Sequence, residues 1–114
     1  MSGKRVERLK RRALRLLEDA RADFEQGFYD LSCFHSEQAL QLFVKAIVFE
    51  LFAKEYAGHG LRELLGYLSK LLRESDYNEL AERIDEHIRN NRSLLVDLEN
   101  SYIDARYVDF EYDK

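Results

Sequence analysis

The densest run of groups able to do chemistry lies near the end of the chain, in Tyr102-Ile103-Asp104-Ala105-Arg106-Tyr107. Tyr102 and Arg106 stand four residues apart and share one face of a helix. A guanidinium is a planar fork for phosphate or carboxylate, and a phenol ring is a stacking surface for a base. The same residues fit a blander arrangement, a core aromatic beside an arginine paired with a C-terminal acid. His59, between Gly58 and Gly60, stands at a helix start. There an imidazole either caps the helix or approaches a ligand, since glycine lets backbone come close. A third group shares one helical seam: His35, Gln38, Gln41 and Lys45 fall within about a third of the circumference. His87 lies among charges and reads as a surface residue.

Other catalytic vocabulary is missing. The sequence has no glycine-rich phosphate loop, no His-Glu-x-x-His pair, no Gly-x-Ser-x-Gly elbow and no set of carboxylates with Glu-x-x-His. No catalytic residue, metal ligand or resident cofactor is assigned. The single cysteine, Cys33, excludes an internal disulfide and a cysteine-rich zinc site. In apolar company at the head of a helix, it reads as a buried, inert thiol. A net charge of −4 gives no global attraction for nucleic acid. Lys4, Arg5, Arg8, Lys10, Arg11, Arg12 and Arg15 nevertheless crowd the first helix, as a solvated face or as a local basic surface.

The elements that must position these groups are helices. Proline is absent and glycine appears five times in 114 residues, which suits long helices and suits hairpins poorly. Val6, Leu9, Ala13, Leu16 or Leu17, Ala20 and Phe24 predict a first helix ending before Gly27. Asp30 or Ser32 is expected to cap a central helix within Leu31 to Tyr56. Between Ala39 and Ala53 that helix is apolar almost all round, so neighbours should bury it on every side. A third helix follows Gly60, carrying Leu61, Leu64, Leu65, Leu68, Leu71 and Leu72. Ser75 or Asp76 is expected to cap a fourth, carrying Leu80, Ile84 and Ile88. The cluster Arg89-Asn90-Asn91-Arg92-Ser93 either bends or splits it.

The expected fold is a single all-α domain over residues 1–114, an antiparallel up-and-down bundle of four main helices plus a short C-terminal helix. No apolar block follows the charged amino terminus, and no run of eighteen apolar residues occurs, so neither a signal peptide nor a membrane span is expected. The expectation is a soluble, cytoplasmic protein.

Three segments, in order, resemble the HEPN family (higher eukaryotes and prokaryotes nucleotide-binding). Cys33-Phe34-His35-Ser36-Glu37-Gln38-Ala39 with Lys45-Ala46 resembles its second helix. His59-Gly60-Leu61 with Leu64-Leu65 resembles its His-x-Leu-x-x-Leu-Leu opening of the third. Tyr102 to Tyr107 resembles its Tyr-x-x-x-Arg-Tyr signature, which normally ends in proline and here ends at Val108. The resemblance implies a prokaryotic homodimer, often encoded beside a small nucleotidyltransferase in toxin–antitoxin systems and similar to the helical domain of kanamycin nucleotidyltransferase. It also implies a metal-independent ribonuclease where an arginine is followed, after four to six residues, by a histidine. No arginine here has a histidine at that spacing, since Arg83 and His87 have only three residues between them. The glutamate usual after Gln-x-Ala-x is Gln41.

These departures favour a non-catalytic subunit that binds nucleotide or docks a nucleotidyltransferase. Arg106, Tyr107, Tyr102, His59, Lys45 and Gln38 are the candidate nucleotide-binding residues, with ATP or GTP, alone or with magnesium, as ligand. A ribonuclease toxin with an altered site and a structural dimeric adaptor are the alternatives. RNA is a less favoured partner than a nucleotide.

Overall fold

In the computed structural model, residues 2–58 and 60–107 are described, with side chains from residue 3 to residue 101 apart from His59. Five helices follow one another: α1 (Ser2–Glu25), α2 (Tyr29–Phe52), α3 (Leu61–Glu74), α4 (Asn78–Asn90) and α5 (Arg92–Tyr107). No strand occurs among the described residues. None of the helices is long and apolar enough to cross a membrane, among the described residues.

α1 stops because Gly27 adopts φ 86°, a left-handed conformation that costs glycine nothing. Phe28 N–H then donates to Asp23 O at 2.8 Å and Gly27 N–H to Phe24 O at 3.1 Å, the paired bonds of a Schellman turn. The chain reverses at once into α2. Neither Asp30 nor Ser32 caps that helix: it begins at Tyr29, and Phe28 stands at the cap without a side-chain bond. Asp30 instead accepts from Leu31 N–H at 2.9 Å. Ser32 donates to Ala20 O at 2.7 Å and ties the two helices together. Cross-links in reverse order show that α1 and α2 are antiparallel: Ala20 with Ser32, Lys10 with Glu50, Arg5 with Glu55.

α2 is the pillar of the bundle, packed by α1, α3 and α5. Val44 and Val48 enter a core with Leu64, Leu68, Leu71, Leu72 and Ala81. The expectation of burial on every side is corrected on one face. Phe43 is 39% exposed and Leu51 58%, because the surrounding helices leave part of the circumference uncovered. Cys33 is half-buried rather than buried.

The second half also differs from the expected four helices plus a short fifth. Ser75 and Asp76 do not cap α4; they end α3. Asp76 takes φ 67°, Tyr77 N–H donates to Leu72 O at 2.8 Å, and Asp76 N–H donates to Arg73 O at 3.2 Å. This is a second Schellman turn with aspartate in the glycine position, a role its short polar side chain tolerates. At Asn91 the helix splits. The Asn91 backbone and side-chain N–H groups both donate to His87 O at 3.0 Å, which closes α4. α5 then runs 16 residues, longer than the 13 of α4, so the chain ends the described region on a full helix.

Candidate functional site

The seam of α2 is organised around a carboxylate that periodicity did not single out. Glu37 is 3% exposed and accepts from Gln38 Nε2 at 2.7 Å and from Gln41 Nε2 at 2.9 Å. Gln41, one turn on, is itself buried. A buried carboxylate requires such donors, since leaving it without them is costly. Gln38 is therefore engaged inside its own helix. His35 Nδ1 lies 2.5 Å from Asp23 Oδ2, so the imidazole donates across to α1 and its orientation is fixed by that bond. His35 thus serves the α1–α2 junction.

Lys45 stands two turns beyond Gln38, about 10 Å along the axis. It is half-buried and lines a small recess with Arg5, Phe49, Lys54 and Tyr56. The seam residues consequently divide. Gln38 and Gln41 satisfy Glu37, His35 serves the junction with α1, and Lys45 faces a separate recess.

The entrance to α3 is built by tertiary contacts. Glu99 of α5 accepts from Arg62 N–H at 3.2 Å and from Arg62 Nε at 2.7 Å. Its carboxylate thus stands in for a capping side chain at the first turn of α3, where the orphan N–H groups and the helix dipole favour negative charge. The hydrogen bond and the charge of Glu99 both hold the Arg62 guanidinium above its ordinary pKa. Tyr56 donates to Glu63 Oε2 at 3.0 Å. Burial first, then that bond and the charge of Glu63, push its phenol above 10.0. Its ring lies so near Gly58 that a β-carbon there would come within 2.6 Å of it. A side chain at position 58 would therefore displace the Tyr56 ring.

His59 and the side chains of Tyr102, Arg106 and Tyr107 lie outside the described residues. The helix that contains Tyr102, Arg106 and Tyr107 packs on α2 and α3. His87 is exposed, as its charged surroundings predict. No group of three His, Cys, Asp or Glu side chains able to hold a metal ion occurs among the described residues. Glu37, Asp23 and Glu99 are the polar side chains that the sequence pattern missed. Only Glu37 left a signal there, one helical turn before a glutamine on a largely apolar helix.

Five helices, with α1, α3 and α5 packed on α2 and α4 packed on α3, define an all-α bundle domain. Within that class the chain belongs to the HEPN domain family, whose model matches residues 6–114. Curated proteins and solved structures gave no significant match.

Proposed function

We propose that this chain is a HEPN subunit that binds a nucleotide or docks a small nucleotidyltransferase, without catalysis of its own, in a two-gene system of the toxin–antitoxin kind. The observation that carries the reading is the packing of α5 on α2 in a member of this family. That packing runs the helix of Tyr102, Arg106 and Tyr107 beside the helix of Gln38 and Lys45. In this reading Arg106 grips a phosphate, a tyrosine stacks on the base and His59 bonds an oxygen near the start of α3. Calorimetric titration with ATP and GTP, with and without magnesium, tests it. Binding in the wild type and a loss of tenfold or more in Arg106→Ala are expected. No heat in the wild type, or equal heat in the variant, overturns the assignment.

A homodimer belongs to the same proposal, and a purely structural adaptor is the second reading. Both are supported by one surface. Leu14 and Leu17 are 56% and 53% exposed on α1, and with Phe24 they line a shallow groove of about 690 Å³ that reaches Ser32 and Ser36 of α2. Exposed apolar side chains brought together on one face support association through it. Light scattering of Leu14→Glu/Leu17→Glu separates the two readings. Loss of a dimer with nucleotide binding intact favours the ligand-binding subunit, and loss of a dimer in a protein that binds no nucleotide favours the adaptor.

A further inference from the structure

Where the first turns of α1 lie against the last turns of α2, the two helices do not close. A recess of about 120 Å³ remains between them, with apolar walls from Leu9, Leu42 and Phe49 and with Arg5, Lys45 and Lys54 among its lining residues. Ala53, in the left-handed conformation with φ 54°, ends α2 and turns the chain, so that Lys54, Glu55 and Tyr56 line the recess from the following loop. The three cations come from three places in the chain, α1, α2 and the loop.

Their partners are unequal. Arg5 pairs with Glu55 and lies over the Phe49 ring at 4.5 Å from its centre. Neighbouring Lys10 pairs with Glu50 at 2.9 Å. Two carboxylates at this end of the hairpin, Glu50 and Glu55, are thereby taken, while Glu7, exposed on α1, does not line the recess. Lys45 and Lys54 make no ion pair among the described residues. The lining therefore carries three positive groups against the single negative Glu55, in a chain whose net charge is −4. Apolar walls lower the local dielectric and strengthen the field of the two unpaired ammonium groups. The Arg5–Glu55 pair is exposed, and such pairs contribute little and open readily.

Size decides what fits. Ligand pockets for whole small molecules usually measure about 300–1,000 Å³, well above this recess. A recess of this size suits one tetrahedral oxyanion better than a base with its sugar. We propose that Lys45, Lys54 and Arg5 form a phosphate subsite between α1 and α2, which takes a phosphoryl group of a nucleotide or of an RNA backbone. Arg8 and Arg12, exposed on α1, continue the positive surface beyond Arg5 toward the rest of a longer polyanion. The subsite rests on the proposed function only in sharing Lys45, and it stands independently of Arg106.

Calorimetry of the full chain with inorganic tripolyphosphate at low and at raised salt tests the subsite. Wild type should bind, and binding should weaken with salt because phosphate contacts displace counterions. Lys45→Gln should weaken it tenfold or more and Lys54→Gln several-fold, while Arg83→Gln, at an exposed position of α4, leaves it unchanged. Lys45→Arg should restore most of the affinity. Competition then separates the sources. Displacement of tripolyphosphate by ATP alone supports a nucleotide subsite, and displacement by a single-stranded RNA oligonucleotide alone supports a backbone subsite. Absence of binding to wild type, or equal binding by wild type and Lys45→Gln, overturns the proposal. Where circular dichroism shows Lys45→Gln unfolded, the exposed Lys54→Gln decides, and unchanged binding there overturns it. Failure of ATP to bind differently to Arg106→Ala counts against the proposed function alone.

Discussion

Gln41 Nε2 donates to Glu37 Oε2 at 2.9 Å within a turn of α2 where both residues are buried. Position 41 is where the resemblance leads one to look for a glutamate. The amide there is what allows the carboxylate one turn earlier to be buried. Gln41→Glu replaces the donor with a second carboxylate at the same distance, and two such groups cannot both ionise in a buried site. The variant should lose about 2–3 kcal/mol at neutral pH. Urea denaturation at neutral pH checks this, and a variant as stable as the wild type would contradict it.

The α3–α4 pair is held by a polar clamp beside its apolar contact, and Arg73 also reaches Glu82 at 3.6 Å. Ser69, 4% exposed, donates to Asp85 Oδ1 at 2.7 Å, and Arg73 donates to Asp85 Oδ2 at 2.6 Å. Removing the carboxylate in Asp85→Ala strands the buried hydroxyl on a longer contact with Ala81 O at 3.3 Å. A loss of about 1–3 kcal/mol is expected. Ser69→Ala alone should cost less, and the double variant should fall short of the sum because the two side chains share one bond. Strict additivity in a denaturant cycle would show that the clamp is not a unit.

Much of the backbone plan was legible in local pattern. The leucine line from Leu61 to Leu72 reports α3 because its spacing and its burial have the same cause, an apolar face packed between α2 and α4. Gly27 reports the first turn because few residues other than glycine enter the left-handed region freely. Asp76 misleads for a related reason. Aspartate is both a good N-cap and a tolerated left-handed residue, and sequence alone does not say which neighbouring helix it serves. Glu99 was invisible as the cap of α3 because it lies 37 residues from Arg62. The cations around the recess escaped notice as a set because Arg5, Lys45 and Lys54 meet only when α1 folds back along α2.

The left-handed residues give a paired test. Ala53 and Asp76 adopt φ 54° and 67° with β-carbons in place, whereas Gly27 adopts 86° without one. The conformation costs a residue with a β-carbon about 1–2 kcal/mol, less for aspartate. Gly27→Ala should therefore destabilise by about 1 kcal/mol. Ala53→Gly should stabilise by about 0.5 kcal/mol once the greater freedom of glycine in the unfolded chain is counted, and Asp76→Gly by less. Thermal midpoints that move in the same direction for Gly27→Ala and Ala53→Gly would contradict this account.

The sign of the pH dependence at the alkaline end follows from Tyr56. Its phenol is pushed above 10.0 in the native state by burial, by its hydrogen bond to Glu63 and by the charge of Glu63. Below 10.0 both native and unfolded chains hold the proton, and the contribution of the phenol to stability is fully present. As pH rises past that value, the unfolded chain releases the proton first. The native state then binds more protons than the unfolded state, and stability declines until Tyr56 itself ionises. Tyr56→Phe should remove this decline, so its stability relative to wild type improves above pH 10. Glu63→Gln should retain only the part that burial supplies. Phenolate absorbance followed through the alkaline titration provides the direct check. The difference between wild type and Tyr56→Phe should be one tyrosine that titrates later than a free one, and a missing group that titrates at the ordinary value would show that the bond to Glu63 does not hold the proton.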